Sequence, residues 1–137
     1  MTDSPNSPYA LVVDDNVLIL LDACAMVREA GFRPLDACDV DAAIAHLERH
    51  TTDIALLFTD VQMPGGRDGF DLAREVAARW PTITILVASG LITPEPGQLP
   101  DGAVFIQKPF GADVVHQHLR DLLPDGRKSE PIRRMRG

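Results

Sequence analysis

Three aspartates, a serine and a lysine stand where short apolar runs of this chain end. The run Tyr9 to Val13 stops at Asp14-Asp15, Ile54 to Thr59 stops at Asp60, Ile83 to Ala88 stops at Ser89, and Ala103 to Gln107 stops at Lys108-Pro109. Carboxylates suit a small hard cation such as Mg2+, which takes oxygen ligands and keeps several waters. A hydroxyl and an ammonium suit the oxygens of a phosphoryl group. Carboxylates gathered at one place repel unless a cation stands among them, so such a cluster points to one. The expected chemistry is a metal site with a phosphoryl site beside it.

Those residues converge only if the runs lie side by side. Runs this short and rich in Val and Ile read as buried parallel strands, and in an open parallel sheet ligand chemistry collects at the carboxyl ends of the strands. Between the strands the pattern turns helical. Asn16 to Ala30 carries Leu18, Leu21, Cys24 or Ala25, and Ala30 at helical spacing and closes at Gly31. Arg33 to Cys38 is a short second strand, and Asp39 is an N-cap candidate for a helix to about His50 with Ala43, Ile44 and Leu47 as its stripe. Gly69-Phe70 opens a helix to about Arg79, stopped by Trp80-Pro81, and a last helix runs from Gly111 or Ala112 to Leu123 with Val115, Leu119 and Leu122 inward. The fold class is α/β, a doubly wound five-stranded parallel sheet with right-handed crossovers. One crossover breaks the pattern: residues 90–102 hold three prolines and three glycines. Interior proline costs a helix about 3 kcal/mol and glycine about 1, so the fourth helix is short or absent.

A length of 137 residues fits one domain spanning 9–123, preceded by a disordered segment over 1–8 and followed by a basic flexible tail over 124–137. No apolar stretch reaches the roughly 20 residues that span a bilayer, and the start of the chain lacks the basic and apolar parts of a signal peptide, so the expected compartment is the cytoplasm. Residues 1–123 carry 18 acidic and 8 basic side chains, whereas the tail carries five basic and two acidic. An acidic body argues against nucleic-acid binding, and no membrane partner is expected. Cys24 and Cys38 read as buried reduced thiols. His46, His50, His116 and His118 lack convincing metal spacing and read as solvated helix faces.

Taken in order, Val13-Asp14-Asp15, Thr59-Asp60-Val61-Gln62-Met63-Pro64 with Asp68-Gly69, Ala88-Ser89-Gly90 and Gln107-Lys108-Pro109-Phe110 resemble the response-regulator receiver domain of two-component signalling, with its flavodoxin-like fold. The resemblance covers about Tyr9 to Leu123. It implies that Asp60 is the phosphoacceptor, taking the group from a histidine kinase or histidine phosphotransfer protein, with Mg2+ on Asp14, Asp15, Asp60 and the Gln62 carbonyl. It further implies that Lys108 and Ser89 contact the phosphoryl oxygens and that Phe105 turns inward on activation, facing surface or core by state. Pro109 resembles the family's cis proline, with a plain trans turn as the alternative, and Pro64 is a turn residue of the loop after Asp60.

Several features depart from the family pattern. The loop Pro64 to Gly69 is one residue longer, Gly90 replaces a common alanine, and the proline-rich crossover remodels a surface that receivers use for partners and dimers. These features resemble small stand-alone receivers of alphaproteobacteria, whose output is a protein contact or a phosphoryl hand-off, as monomer or weak dimer. The leading expectation is therefore a response regulator that switches partner binding. The alternatives are a phosphate sink draining a shared kinase and a phosphorylation-independent binding module, which all five intact site residues disfavour. A true aspartyl-phosphate enzyme fits poorly, because Gln62 stands where such enzymes place a second acid.

Overall fold

The computed structural model describes residues 8–90, 92–108 and 111–122. The expected N-terminal segment up to Ser7 and the basic tail over 124–137 lie outside the described residues, as do Leu91, Pro109 and Phe110. Five strands and four helices follow one another as β1 (Tyr9–Val13), α1 (Val17–Glu29), β2 (Arg33–Ala37), α2 (Val40–Arg49), β3 (Ile54–Asp60), α3 (Gly69–Arg79), β4 (Thr84–Ser89), β5 (Val104–Gln107) and α4 (Ala112–Leu122). All pairings are parallel, in the order β2-β1-β3-β4-β5. The chain steps outward from β1 to β2 and then crosses to β3, so the carboxyl ends of β1 and β3 flank the switch point where a ligand crevice forms.

Parallel strands joined by helices bury both sheet faces, and the core is divided accordingly. One side packs Leu20, Ala23 and Val27 of α1 and Val115 and Leu119 of α4 against Ala10, Val12, Leu56, Phe58 and Leu86. The other packs Ala43 and Leu47 of α2 and Phe70, Leu72, Ala73 and Val76 of α3 against Leu11, Val13, Leu57, Ile85 and Val87. Side chains alternate along each strand with the period of two, so neighbouring residues serve opposite layers.

Helix α1 corrects an expectation. Its inward residues are Leu20, Ala23 and Val27, whereas Leu18 is 78% and Leu21 59% exposed. The sequence Val17 to Val27 is apolar on nearly every side, so periodicity alone does not choose a face. Packing onto the sheet chooses it, while Asn16 fixes where the first turn starts, accepting hydrogen bonds at its side-chain oxygen from the amides of Leu18 and Ile19 at 3.0 and 3.2 Å. Two further expectations also fail. His116 is buried, its Nε2 lying 3.0 Å from the Met26 carbonyl of α1, because α4 packs that edge onto α1. Cys38 is exposed and Cys24 only half-buried, both as free thiols.

Between β4 and β5 no helix forms among the described residues. A tight turn does form there: the Gln98 amide donates to the Glu95 carbonyl at 3.0 Å, with Gly97 at a φ of 87°. Pro96 followed by a left-handed glycine is the arrangement a type II turn demands. Ile92 and Leu99 anchor this crossover by packing on the α2–α3 side of the core.

Candidate functional site

Strand ends assemble the site. Asp14 follows β1 and is buried, its amide donating to the Ala37 carbonyl at 3.1 Å at the end of β2. Its Oδ1 accepts the Asn16 amide at 2.9 Å, so the turn into α1 holds that carboxylate in place. Asp15 is exposed, and Asp60 ends β3 with its side chain 14% exposed. Carboxylate oxygens of Asp14, Asp15 and Asp60 lie within 4.8 Å of one another. Into this group reaches Lys108, whose Nζ donates to Asp60 Oδ1 at 3.0 Å and to Asp14 Oδ2 at 3.4 Å. The lysine is placed by the sheet itself, because its amide donates to the Ser89 carbonyl at 3.0 Å. Asp14, Asp60 and Lys108 line a small cleft with Ile19, Ala23 and Phe58.

Burial pushes the Asp60 carboxyl above the usual aspartate range, and the Asp14 charge pushes the same way. The hydrogen bond and charge of Lys108 pull it down without cancelling the desolvation. One ammonium against three carboxylates leaves a surplus of negative groups. A cation with oxygen preference fits this donor set, and removing such charges from water favours binding it.

The remaining expected residues sit around this cluster. Ser89 is buried at the end of β4, one residue beyond Ala88, the register partner of Asp60, and its Oγ accepts the Ile92 amide at 3.1 Å. Phe105 of β5 is half-buried against the α2–α3 side of the core. Gln62 and Pro64 are exposed in the loop after β3, and Gln62 is separated from Asp60 by the buried Val61. Pro109 lies outside the described residues.

Three contributors escape a reading by strand ends. Thr59 is buried and its hydroxyl donates to the Asp60 carbonyl oxygen at 2.8 Å. Asn16 joins the site through the Asp14 carboxylate, and the signal for it was present, since Asn before an apolar helical run marks a cap. Arg67, in the lengthened loop, donates to Asp41 of α2 at 2.7 Å and to Glu75 of α3 at 3.0 Å. Arg79 extends that chain, bonding Glu75 at 2.7 Å and Glu48 at 3.0 Å. Spacing along the sequence carries no signal for pairs separated by 26 and 31 positions.

Comparison with known proteins agrees with this geometry. Residues 10–120 match the response regulator receiver domain. The transcriptional regulatory protein PdtaR of Mycobacterium tuberculosis is 30% identical over 117 residues, covering 83% of this chain and 52% of the relative. The phosphate regulon transcriptional regulatory protein PhoB of Escherichia coli is 34% identical over 105 residues, covering 73% of this chain and 44% of the relative. The chain thus spans about half the length of these curated relatives. Among solved structures, a response regulator receiver protein from Sinorhizobium medicae superposes with a TM-score of 0.77 at 26% identity, covering 87% of this chain and 96% of that one. The receiver domain of the hybrid histidine kinase CckA gives 0.72 at 26%, covering 85% and 99%. With a family match that includes every strand end building the acidic cleft, this chain belongs to the response regulator receiver domain family.

Proposed function

We propose that this chain accepts a phosphoryl group on Asp60 from a histidine kinase or histidine phosphotransfer protein, and that the modification switches its binding to a downstream protein. The observation that carries this reading is the carboxylate cluster at the ends of β1 and β3, with Lys108 Nζ 3.0 Å from Asp60 Oδ1. Asp14, Asp15, Asp60 and the Gln62 carbonyl are the groups that would hold Mg2+. Bound there, the ion would neutralise charge on the phosphoryl oxygens during transfer.

The chain's own groups supply the rest. An ionised carboxylate is already a nucleophile, so Asp60 needs no base. Its oxygen forms the O–P bond as the N–P bond to the donor imidazole breaks, and the departing imidazole keeps the electron pair. Lys108 balances charge on Asp60 before transfer and on the phosphoryl group after it, as a point charge on a flexible stem. Ser89 Oγ accepts the Ile92 amide, and its hydroxyl is the group that would turn to donate to a phosphoryl oxygen. The added charge of about -1.5 to -2 then favours a packing in which Ser89 moves toward the phosphoryl group and Phe105 turns inward into the space it vacates. Output is a population shift between two packings of one fold.

Two further observations support a protein donor. Val17, Leu18 and Leu21 leave an apolar strip exposed on α1, which begins directly after Asp14-Asp15. A similar receiver belongs to a hybrid histidine kinase. A cytoplasmic signalling module without turnover on outside substrates fits Gln62 at its position, because an amide cannot shuttle a proton.

Intact-protein mass after adding acetyl phosphate with and without Mg2+, for wild type and Asp60→Ala, tests the reading. One phosphoryl adduct that requires both Asp60 and Mg2+ supports it. An adduct persisting in Asp60→Ala rejects it. Decay over hours favours partner switching, and decay within minutes favours a phosphate sink.

A further inference from the structure

The orientation of a nucleophilic carboxylate depends on the peptide that carries it, and here that peptide is held from behind. Thr59 is buried, and its Oγ1 donates to the Asp60 carbonyl oxygen at 2.8 Å. Gly69, the first residue of α3, presses on the same group. A Cβ built there would land on the Asp60 carbonyl oxygen, with the Asp60 carbonyl carbon and Val61 Cα each at 2.9 Å. The Gly69 amide also donates to the Val61 carbonyl at 2.7 Å. So the peptide after Asp60 lies between a hydroxyl and a bare Cα, at the point where β3 gives up its ladder.

We propose that Thr59 and Gly69 are positioning residues for Asp60: the Thr59 hydroxyl and the close approach of α3 fix the Asp60 peptide, and through it the direction of the carboxylate. This deepens the phosphoacceptor reading and rests on it. On its outer side Asp60 is held by Lys108 Nζ at 3.0 Å, a partner that must pass to the phosphoryl group during transfer. The inner side therefore has to supply the rigidity. Only glycine permits the approach of α3, because any Cβ would displace the Asp60 carbonyl and turn the carboxylate with it. A hydroxyl is needed as well, because the strand ends here and a carbonyl withdrawn from water needs a donor. Misplacement of a reacting atom by about 1 Å can cost about 100-fold in rate.

The experiment compares Thr59→Val, Thr59→Ser and Gly69→Ala with wild type in the full chain, well below each melting temperature. Two quantities are read: the Mg2+ dissociation constant of the unphosphorylated protein, from amide shifts in an NMR titration, and the adduct rate with acetyl phosphate at saturating Mg2+. Thr59→Ser keeps the hydroxyl and is expected within about twofold of wild type in both. Thr59→Val and Gly69→Ala are expected to lose about tenfold or more in saturated rate and several-fold in Mg2+ affinity while staying folded. A merely structural role would lower the melting temperature of Thr59→Val and leave both quantities unchanged in the folded protein. That outcome, or a Thr59→Ser as impaired as Thr59→Val, overturns the proposal. If Gly69→Ala does not fold, the valine and serine pair still decides. Wild type forming no adduct overturns the phosphoacceptor reading, and the positioning role with it.

Discussion

Replacing Lys108 with methionine keeps the aliphatic stem and removes the ammonium that, among the described residues, bonds the carboxylate cluster, so it isolates the electrostatics of the site. Lys108 is 22% exposed, against 14% for Asp60 and 7% for Asp14, with Nζ at 3.0 and 3.4 Å from their oxygens. At an effective dielectric constant of about 20, the gross attraction to Asp60 is roughly 5 to 6 kcal/mol. Desolvation and competing water offset much of it, since hydrogen bonds to charged groups are worth about 1.5–3 kcal/mol net. A loss of about 2 kcal/mol without divalent ions follows, or a fall in Tm of roughly 6–12 °C for a domain of this size. Mg2+ supplies the missing positive charge. A ligand at 100 times its Kd adds about 2.7 kcal/mol of stability, and the variant, holding more uncompensated charge, should bind the ion more tightly than wild type. Thermal melts of wild type, Lys108→Met, Asp60→Asn and the double variant, each with and without Mg2+, measure all of this. The gap between wild type and Lys108→Met should shrink by at least half on adding Mg2+, and most of the lysine's effect should vanish in the Asp60→Asn background. A gap untouched by Mg2+ and equally large without Asp60 would mean that the lysine acts by packing, and the electrostatic account would be refuted.

Three other predictions concern separate parts of the molecule. Because burial holds the Asp60 pKa above its ordinary value, the ionised form weakens the fold; the stability tied to its protonated form is present below the ordinary carboxylate pKa and is lost as pH rises through the raised one. Asp60→Asn should therefore gain on wild type between about pH 4 and neutrality in metal-free buffer, and a difference in Tm that stays flat with pH would contradict this. Arg67→Ala should destabilise the protein modestly and more at low salt than at high, since its partners Asp41 and Glu75 are ion pairs at the surface; equal losses at both salt concentrations would argue against an ionic tether. The crossover between β4 and β5 hangs on Ile92, Leu99 and the bond from the Ile92 amide to Ser89 Oγ. Hydrogen exchange over 92–100 should slow when an acyl-phosphate mimic occupies Asp60, and identical protection in both states would remove this crossover from the switch.

Much of the architecture was legible along the chain because each strand is a short apolar run with a chemical residue at its end. The strand ending at Asp60 and the helix from Gly69-Phe70 to about Arg79 were readable, since Trp80-Pro81 ends the helix, and the structure adds the capping box of Asp68 and Asp71 at its start. Proline and glycine over 90–102 likewise pointed to a short or absent helix, and none forms among the described residues, because a lost amide and a freed backbone act locally. The inward face of α1 was not legible, because an apolar helix offers several faces and only packing selects Leu20, Ala23 and Val27.

The same division holds for the site. Residue type and strand-end placement determined that Asp14, Asp15, Asp60, Ser89 and Lys108 share one edge of the sheet, since a parallel sheet aligns its carboxyl ends. Tertiary structure alone decided that Lys108 bonds Asp60 and Asp14, that burial raises the Asp60 pKa, and that Thr59 and Gly69 close on the Asp60 carbonyl. The reason is physical: type and pattern are local properties of the chain, whereas distance, burial and charge compensation exist only between segments that folding brings together.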